Sequence, residues 1–110
     1  MDEFPEPPQT YQEFVRRFPK LAEAWRLAAD AARDGPLETP TLRLVKLAAA
    51  VGALREGAVH AGVRKALADG IPPAAVAQVL AAAAGTIGFP AAVAVYSWVR
   101  DLIPEARPGG

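Results

Sequence analysis

The fold is decided by residues 56–70, which read EGAVHAGVRKALADG. Apolar residues recur in this stretch at intervals of three and four, which places them on one face of an α-helix. They are Val59, Val63, Ala66 and Leu67. Gly70 suits the left-handed conformation that commonly ends a helix, so the stretch predicts an amphipathic helix that ends near Asp69.

Further helices are predicted on both sides of this one. On the N-terminal side, Thr39-Pro40 is typical of a helix start, and that helix reaches a weak point bracketed by Gly52 and Gly57. On the C-terminal side, the connector Ile71-Pro72-Pro73 leads to a helix over about 73–86. A break with two glycines and a proline then separates it from a last helix over about 90–103.

Two shorter helices are predicted near the N-terminus. Thr10 as N-cap, with Glu13 three residues later, forms a capping box, and the first helix runs to about Phe18. The second helix begins at Pro19 and stops at Asp34-Gly35-Pro36. The chain is thereby divided into a disordered segment 1–9, N-terminal helices 10–36, a helical domain 37–104 and a loose tail 105–110.

The composition favours closely packed helices and excludes several classes of function. Alanine, the best helix former, is the most frequent residue, and only 7% of residues are aromatic. Twelve basic and twelve acidic residues cancel, so no positive field would hold a nucleic acid or an anionic membrane surface. The absence of cysteine excludes thiol catalysis, and a single histidine excludes a multi-histidine metal site within one subunit. We expect a cytoplasmic, all-α domain of about six helices.

Several of the predicted helices are apolar on more than one face, most clearly the helix over about 73–86. In a monomer these faces would leave large exposed apolar patches. We therefore expect a homo-oligomer in which copies of the chain cover these faces. Trp25 and Trp98 are interpreted as core or interface anchors rather than as platforms for a cofactor.

One constellation of residues has the chemistry of a catalytic site. Glu56, His60 and Arg64 lie four residues apart, so a continuous helix places them in one stripe. A carboxylate that accepts a hydrogen bond from an imidazole fixes its tautomer, which is the minimal arrangement of a general base. The alternative is a solvated helix face with weak ion pairs. His60 adjoins Val59 and Val63 at the edge of the apolar face, where an oligomer could form a cleft.

Arg43 and Lys46 are a second, weaker candidate for a binding site. Both lie on the third predicted helix and could bind an acidic ligand. The alternative is that they are surface charges or partners in salt bridges at an interface between copies.

Four segments follow one another in a fixed order and spacing. They are TLRLVKLA at 41–48, EGAVH at 56–60, VRKALADG at 63–70 and GFPAA at 88–92. Through them, the run from Leu37 to Ile103 resembles the carboxymuconolactone decarboxylase and alkylhydroperoxidase-D-like family. The resemblance implies an all-helical domain built around a central helical hairpin. It also implies trimers or hexamers with active sites near the subunit interfaces.

The chain departs from the family pattern at the positions that carry chemistry. The similar peroxidases use a Cys-x-x-Cys pair, a following histidine and an upstream glutamate as a proton relay. In an ungapped alignment these positions are occupied by Arg55, Ala58, Gly62 and Arg43. The similar lactone decarboxylases lack the cysteines but also place a histidine at position 62. The chain most resembles a cysteine-free subgroup that keeps Glu56 and His60, with the histidine one turn displaced.

The resemblance implies acid–base chemistry on a small carboxylated lactone or a related acid, with no cofactor. His60 would act as the acid and base, Glu56 would orient it, and Arg64 or Arg55 would pair with the substrate carboxylate. A metal bound by Glu56 and His60 of several subunits is an alternative. A further hypothesis is a non-catalytic oligomeric binding or scaffold protein, in which these two residues are polar groups of an interface.

Overall fold

The structure is a computed structural model that describes residues 7–104. Residues 1–6 of the predicted disordered segment and the predicted loose tail, residues 105–110, lie outside the described residues. Within 7–104 there are six helices and no strand, as predicted. They are α1 Pro7–Arg17, α2 Pro19–Arg33, α3 Thr39–Gly52, α4 Glu56–Ala68, α5 Pro73–Ile87 and α6 Phe89–Val99.

The first and last helices differ from their predicted bounds. Helix α1 begins at Pro7, so Thr10 lies inside it and the predicted N-cap is wrong. Proline is compatible with the first turn of a helix because the amide hydrogens there have no partner within the helix. Helix α6 ends at Val99, and tighter turns follow, with the amide of Ile103 bonded to the carbonyl of Arg100 at 3.3 Å. Pro104 disfavours helical geometry at Ile103, which argues against the predicted end near 103.

The chain divides into two compact units between Pro36 and Leu37. The second unit holds the hydrophobic core, to which α3, α4, α5 and α6 all contribute. Its buried side chains are small and mostly branched: Leu47, Val51, Val59, Val63, Ala66, Ile71, Val76, Leu80, Val95, Val99 and Ile103. The apolar stripe predicted on α4 is thus confirmed at Val59, Val63 and Ala66. No described polar or charged side chain is buried.

Helices α3 and α4 approach each other closely at Gly62. A Cβ atom added there would lie 3.1 Å from Leu47 Cδ1 and 3.6 Å from Leu47 Cα. Leu47 is completely buried, so its side chain has little room to move away. Glycine at this position therefore allows the two helices to pack closely, and it fixes which side of α4 faces α3.

The first unit is a hairpin of α1 and α2. The rings of Phe14 and Phe18 lie 5.2 Å apart, and the Arg17 guanidinium lies 5.9 Å from the Phe18 ring centroid. On α2, Arg26 pairs with Glu23 at 2.7 Å and with Asp30 at 3.1 Å. The pKa of Arg26 is raised above its ordinary value. The larger cause is the hydrogen bond from Arg26 to Glu23, and the second is the attraction between their charges. These exposed ion pairs belong to a solvated helix face.

Helices α3 and α4 end in the same backbone arrangement but with different residues. At the end of α4, the amides of Gly70 and Ile71 bond to the carbonyls of Leu67 and Ala66, and Gly70 has a φ of +87°. At the end of α3, Leu54 and Arg55 make the equivalent bonds, and Leu54 has a φ of +55°. A leucine therefore occupies a left-handed position that favours glycine.

The conformation of Leu54 leads to a stability prediction. Leu54→Gly should be more stable than Leu54→Ala by about 1 kcal/mol, because only glycine adopts a positive φ without a steric cost. The same exchange within a helix, Ala82→Gly in α5, should instead lower the free energy of unfolding by about 1 kcal/mol. Urea unfolding at one fixed protein concentration measures all three variants. Equal stability of the two Leu54 variants would contradict the left-handed conformation.

Candidate functional site

The site predicted from the sequence lies at the start of α4. Glu56 is the first residue of the helix, and Arg55 precedes it as the N-cap, with φ −97° and ψ 97°. The carbonyl of Arg55 accepts the first helical hydrogen bond, from the amide of Val59, at 2.8 Å. The left-handed turn at Leu54 directs the chain from α3 into this helix start. The carboxylate of Glu56 therefore lies in the first turn, where the helix dipole favours a negative charge.

Helix α4 is continuous, so Glu56, His60 and Arg64 lie in one stripe, as the spacing predicts. His60 is half-buried, whereas Glu56 and Arg64 are exposed. The neighbouring Val59 and Val63 are completely buried. His60 thus lies at the boundary between the core and the surface, with a carboxylate one turn before it and a guanidinium one turn after it.

Of the two candidate arginines, only Arg64 shares this stripe. Arg55 has an extended backbone and precedes the helix, so helical spacing does not place it beside His60. Arg55 and Arg64 are both exposed. Among the described residues, neither of them forms a hydrogen bond or an ion pair with another side chain, and Glu56 and His60 form none either. The four side chains are therefore near one another along the chain but are not connected in the structure.

From the sequence, His60 is expected one helical turn away from position 62, and the helix geometry corrects this. Two residues correspond to about 200° around a helix axis, not to one turn along it. His60 and Gly62 therefore flank the buried stripe of Val59 and Val63 on opposite sides of α4. Gly62 faces Leu47 of α3, where an added side chain would be crowded, whereas His60 is half-buried on the other flank, in line with the exposed Glu56 and Arg64. His60 does not occupy the place of the histidine that the resemblance puts at position 62.

Arg43 has a partner that the sequence does not identify. Its Nε donates a hydrogen bond to Oδ2 of Asp69 at 2.6 Å, and about one third of each side chain is exposed, 33% and 36%. The ion pair links α3 to the end of α4, 26 residues further along the chain. It favours the salt-bridge interpretation of Arg43 over the binding of an acidic ligand, but within the chain rather than between copies. Lys46 is exposed.

Residues 7–104 also bear on three other features: a metal site, a membrane-spanning helix and a ligand groove. In this part of the chain, no group of three or more His, Asp and Glu residues could hold a metal ion. None of the described helices has the length and apolar character needed to cross a membrane. The two surface grooves that stand out are both lined by residues of the α1–α2 hairpin, and neither includes His60.

Together, the fold and the candidate residues define a small all-α protein without cysteine, whose single histidine lies at the edge of the core. The chain matches the Carboxymuconolactone decarboxylase family over residues 19–101, and it belongs to that family. The matched region begins earlier than the predicted resemblance and includes α2, but it leaves α1 outside.

Family membership and the absence of cysteine together limit the kinds of reaction that this chain could catalyse. The family includes decarboxylases, and the absence of cysteine means that this member is not a thiol peroxidase. No curated protein and no solved structure shows significant similarity to the chain.

The packing at Gly62 can be tested against a second glycine. Alanine is the better helix former, so Gly85→Ala in α5, where nothing lies near the added Cβ, should raise the free energy of unfolding by about 1 kcal/mol. Gly62→Ala should raise it less or lower it, and Gly62→His should lower it by about 1–3 kcal/mol, because both crowd the buried Leu47. Thermal or urea unfolding measures the difference. A stabilising Gly62→His would show that this side of α4 is open.

Proposed function

We propose that this chain is an enzyme that performs acid–base chemistry on a small carboxylated lactone or a related acid. The observation that carries the proposal is the position of His60, half-buried at the rim of the core with Glu56 one turn before it. A half-buried imidazole is shielded from bulk water on one side yet accessible to a small molecule on the other. Membership of a family that includes decarboxylases supports this type of reaction.

In the proposed reaction, His60 delivers a proton to carbon. Loss of CO₂ from the substrate leaves the electron pair of the broken C–C bond in a conjugated enolate. The imidazolium of His60 protonates the enolate carbon, and the neutral imidazole then recovers a proton from water. A positioned general acid of this kind contributes about 100-fold to 10,000-fold in rate.

Glu56 and Arg64 have supporting roles in this proposal. A change of side-chain rotamer would let the Glu56 carboxylate accept the N–H of His60, which fixes the tautomer that faces the substrate. Arg64 lies one turn beyond His60, and its exposed guanidinium suits a bidentate contact with a carboxylate. Arg55 is the second candidate for that contact, although it lies outside the stripe.

The proposal includes a homo-oligomer, a trimer or hexamer, because His60 lines neither of the two grooves described above and a partner copy would have to complete its site. Exposed apolar side chains of the second unit support it. Phe89, Val93 and Tyr96 of α6 recur at helical spacing and are all exposed, with Phe89 75% exposed. A second copy that covered such a face near α4 would enclose His60 and exclude water from the reaction.

A non-catalytic binding or scaffold protein is the alternative function. Two observations favour it: His60 and Glu56 are not hydrogen-bonded to each other, and neither of the two described grooves reaches them. In that case both residues would be polar groups of an interface between copies, and their replacement would change assembly rather than turnover.

The catalytic proposal predicts a matched pair of kinetic results. In a CO₂-release assay over a panel of small carboxylated lactones, His60→Gln should reduce kcat about 100-fold or more. Arg64→Ala should raise KM, whereas Lys65→Ala, which removes an exposed positive charge outside the stripe, should leave both constants unchanged.

The outcomes of this assay separate the two functions. Unchanged turnover in His60→Gln would remove His60 from the mechanism. No CO₂ release from any member of the panel, with a changed molecular mass in His60→Gln, would favour the non-catalytic protein.

The proposed assembly has its own test. Light scattering of the wild-type protein should give three or six times the 11.5 kDa mass of one chain. A mass equal to one chain at micromolar concentration would contradict the homo-oligomer, and with it the enclosed site.

A further inference from the structure

The α1–α2 hairpin has no core of its own. Among the described side chains of residues 9–36, none is buried. A unit of two helices cannot enclose apolar side chains by itself, and two-helix hairpins become stable when further helices cover them. The apolar side chains of this hairpin therefore need a covering surface.

Between the two helices lies a groove of about 500 Å³, which we call the hairpin groove. It is lined by aromatic and aliphatic side chains, among them Tyr11, Phe14, Leu21 and Trp25, and no charged side chain lines it. Trp25 is 69% exposed, although tryptophan is highly buried on average. The opposite side of α2 carries the ion pairs of Arg26 and faces away from the groove.

We infer that the hairpin groove is the surface through which two copies of this chain associate. The groove offers no charge that would recognise a polar, phosphorylated or acidic partner, and such apolar surfaces are typical of permanent homodimer interfaces. Two hairpins related by a two-fold axis complete a four-helix bundle, with each groove facing the other.

The three exposed aromatic rings supply a large part of the area that such a contact needs. Aromatic side chains carry about 150–250 Å² each, so Tyr11, Phe14 and Trp25 leave about 350 Å² uncovered at their observed exposures. Each partner of a standard interface buries roughly 800 Å². The three rings supply close to half of that area, and Leu21 with the remaining aliphatic lining adds to it.

The residues that line this groove and the proposed catalytic residues belong to different units of the chain. Helix α1, which supplies Tyr11 and Phe14, lies outside the region matched by the family, and α4 contributes nothing to the groove. The inference therefore depends on the hexamer among the proposed assemblies, because a trimer has no two-fold axis, but it does not depend on the proposed reaction.

Two leucines of α2 provide a matched test. Leu21 lines the groove and is 51% exposed, whereas Leu27 is 52% exposed and does not line it. Leu21→Glu should reduce the mass measured by light scattering at least two-fold, because it places a charge in the apolar contact. Leu27→Glu should keep the wild-type mass, and circular dichroism should show equal helix content in both variants.

Fluorescence of Trp25 gives a second readout that does not depend on the Leu21 variant folding. In a Trp98→Phe background, Trp25 is the only tryptophan. Its emission should be shielded from acrylamide in the assembled protein, and dilution to dissociated chains should expose it.

Each result supports or overturns the inference. A Leu21→Glu protein with the wild-type mass, or equal losses of mass in both leucine variants, would overturn it while leaving the oligomer in place. Freely quenched Trp25 in the assembled protein would also overturn it.

A blue shift of Trp25 only with phosphatidylserine vesicles would assign the groove to a membrane surface instead. A trimeric wild-type protein would overturn this two-fold contact and leave the proposed oligomer in place, and a monomeric one would overturn both. Loss of CO₂ release alone concerns only the catalytic proposal.

Discussion

The close contact between α3 and α4 at Gly62 constrains how α4 is oriented in the second unit. Because Leu47 fills the space beside Gly62, α4 can present only one side to α3. That orientation buries Val59, Val63 and Ala66, and it leaves the Glu56, His60 and Arg64 stripe on the other flank. Where the single histidine lies is therefore a consequence of packing between two helices. The ion pair of Arg43 with Asp69 holds the same two helices together at the far end of α4.

Most of the helical architecture follows from the sequence because local signals are strong. The apolar spacing of α4 and the glycine at its end predict a helix and its buried face, and both are confirmed. The start of α1 at Pro7 is not predicted, since proline is read as a breaker although the first turn tolerates it. The left-handed Leu54 has no sequence signal, because glycine is the residue expected there.

The candidate site shows where sequence reasoning ends. Spacing alone predicts that Glu56, His60 and Arg64 share a stripe, and the helix confirms this. Spacing already separates His60 from Gly62 by about 200° around α4, but it does not show that Gly62 packs against Leu47 of α3. The partner of Arg43 is equally hidden, because Asp69 is 26 residues away along the chain. Family membership gives the type of protein, but its pattern does not place the histidine of this chain.

The central claim, that His60 on the flank of α4 away from Gly62 meets a small acidic molecule, has a direct measurement. The chain has one histidine, so an NMR titration of its ring resonances reports on this residue alone. Addition of a small carboxylated lactone should move the ring signals in a saturable manner, and Arg64→Ala should weaken that binding. Ring signals that stay fixed across a panel of such acids, in a protein of confirmed assembly, would contradict the account.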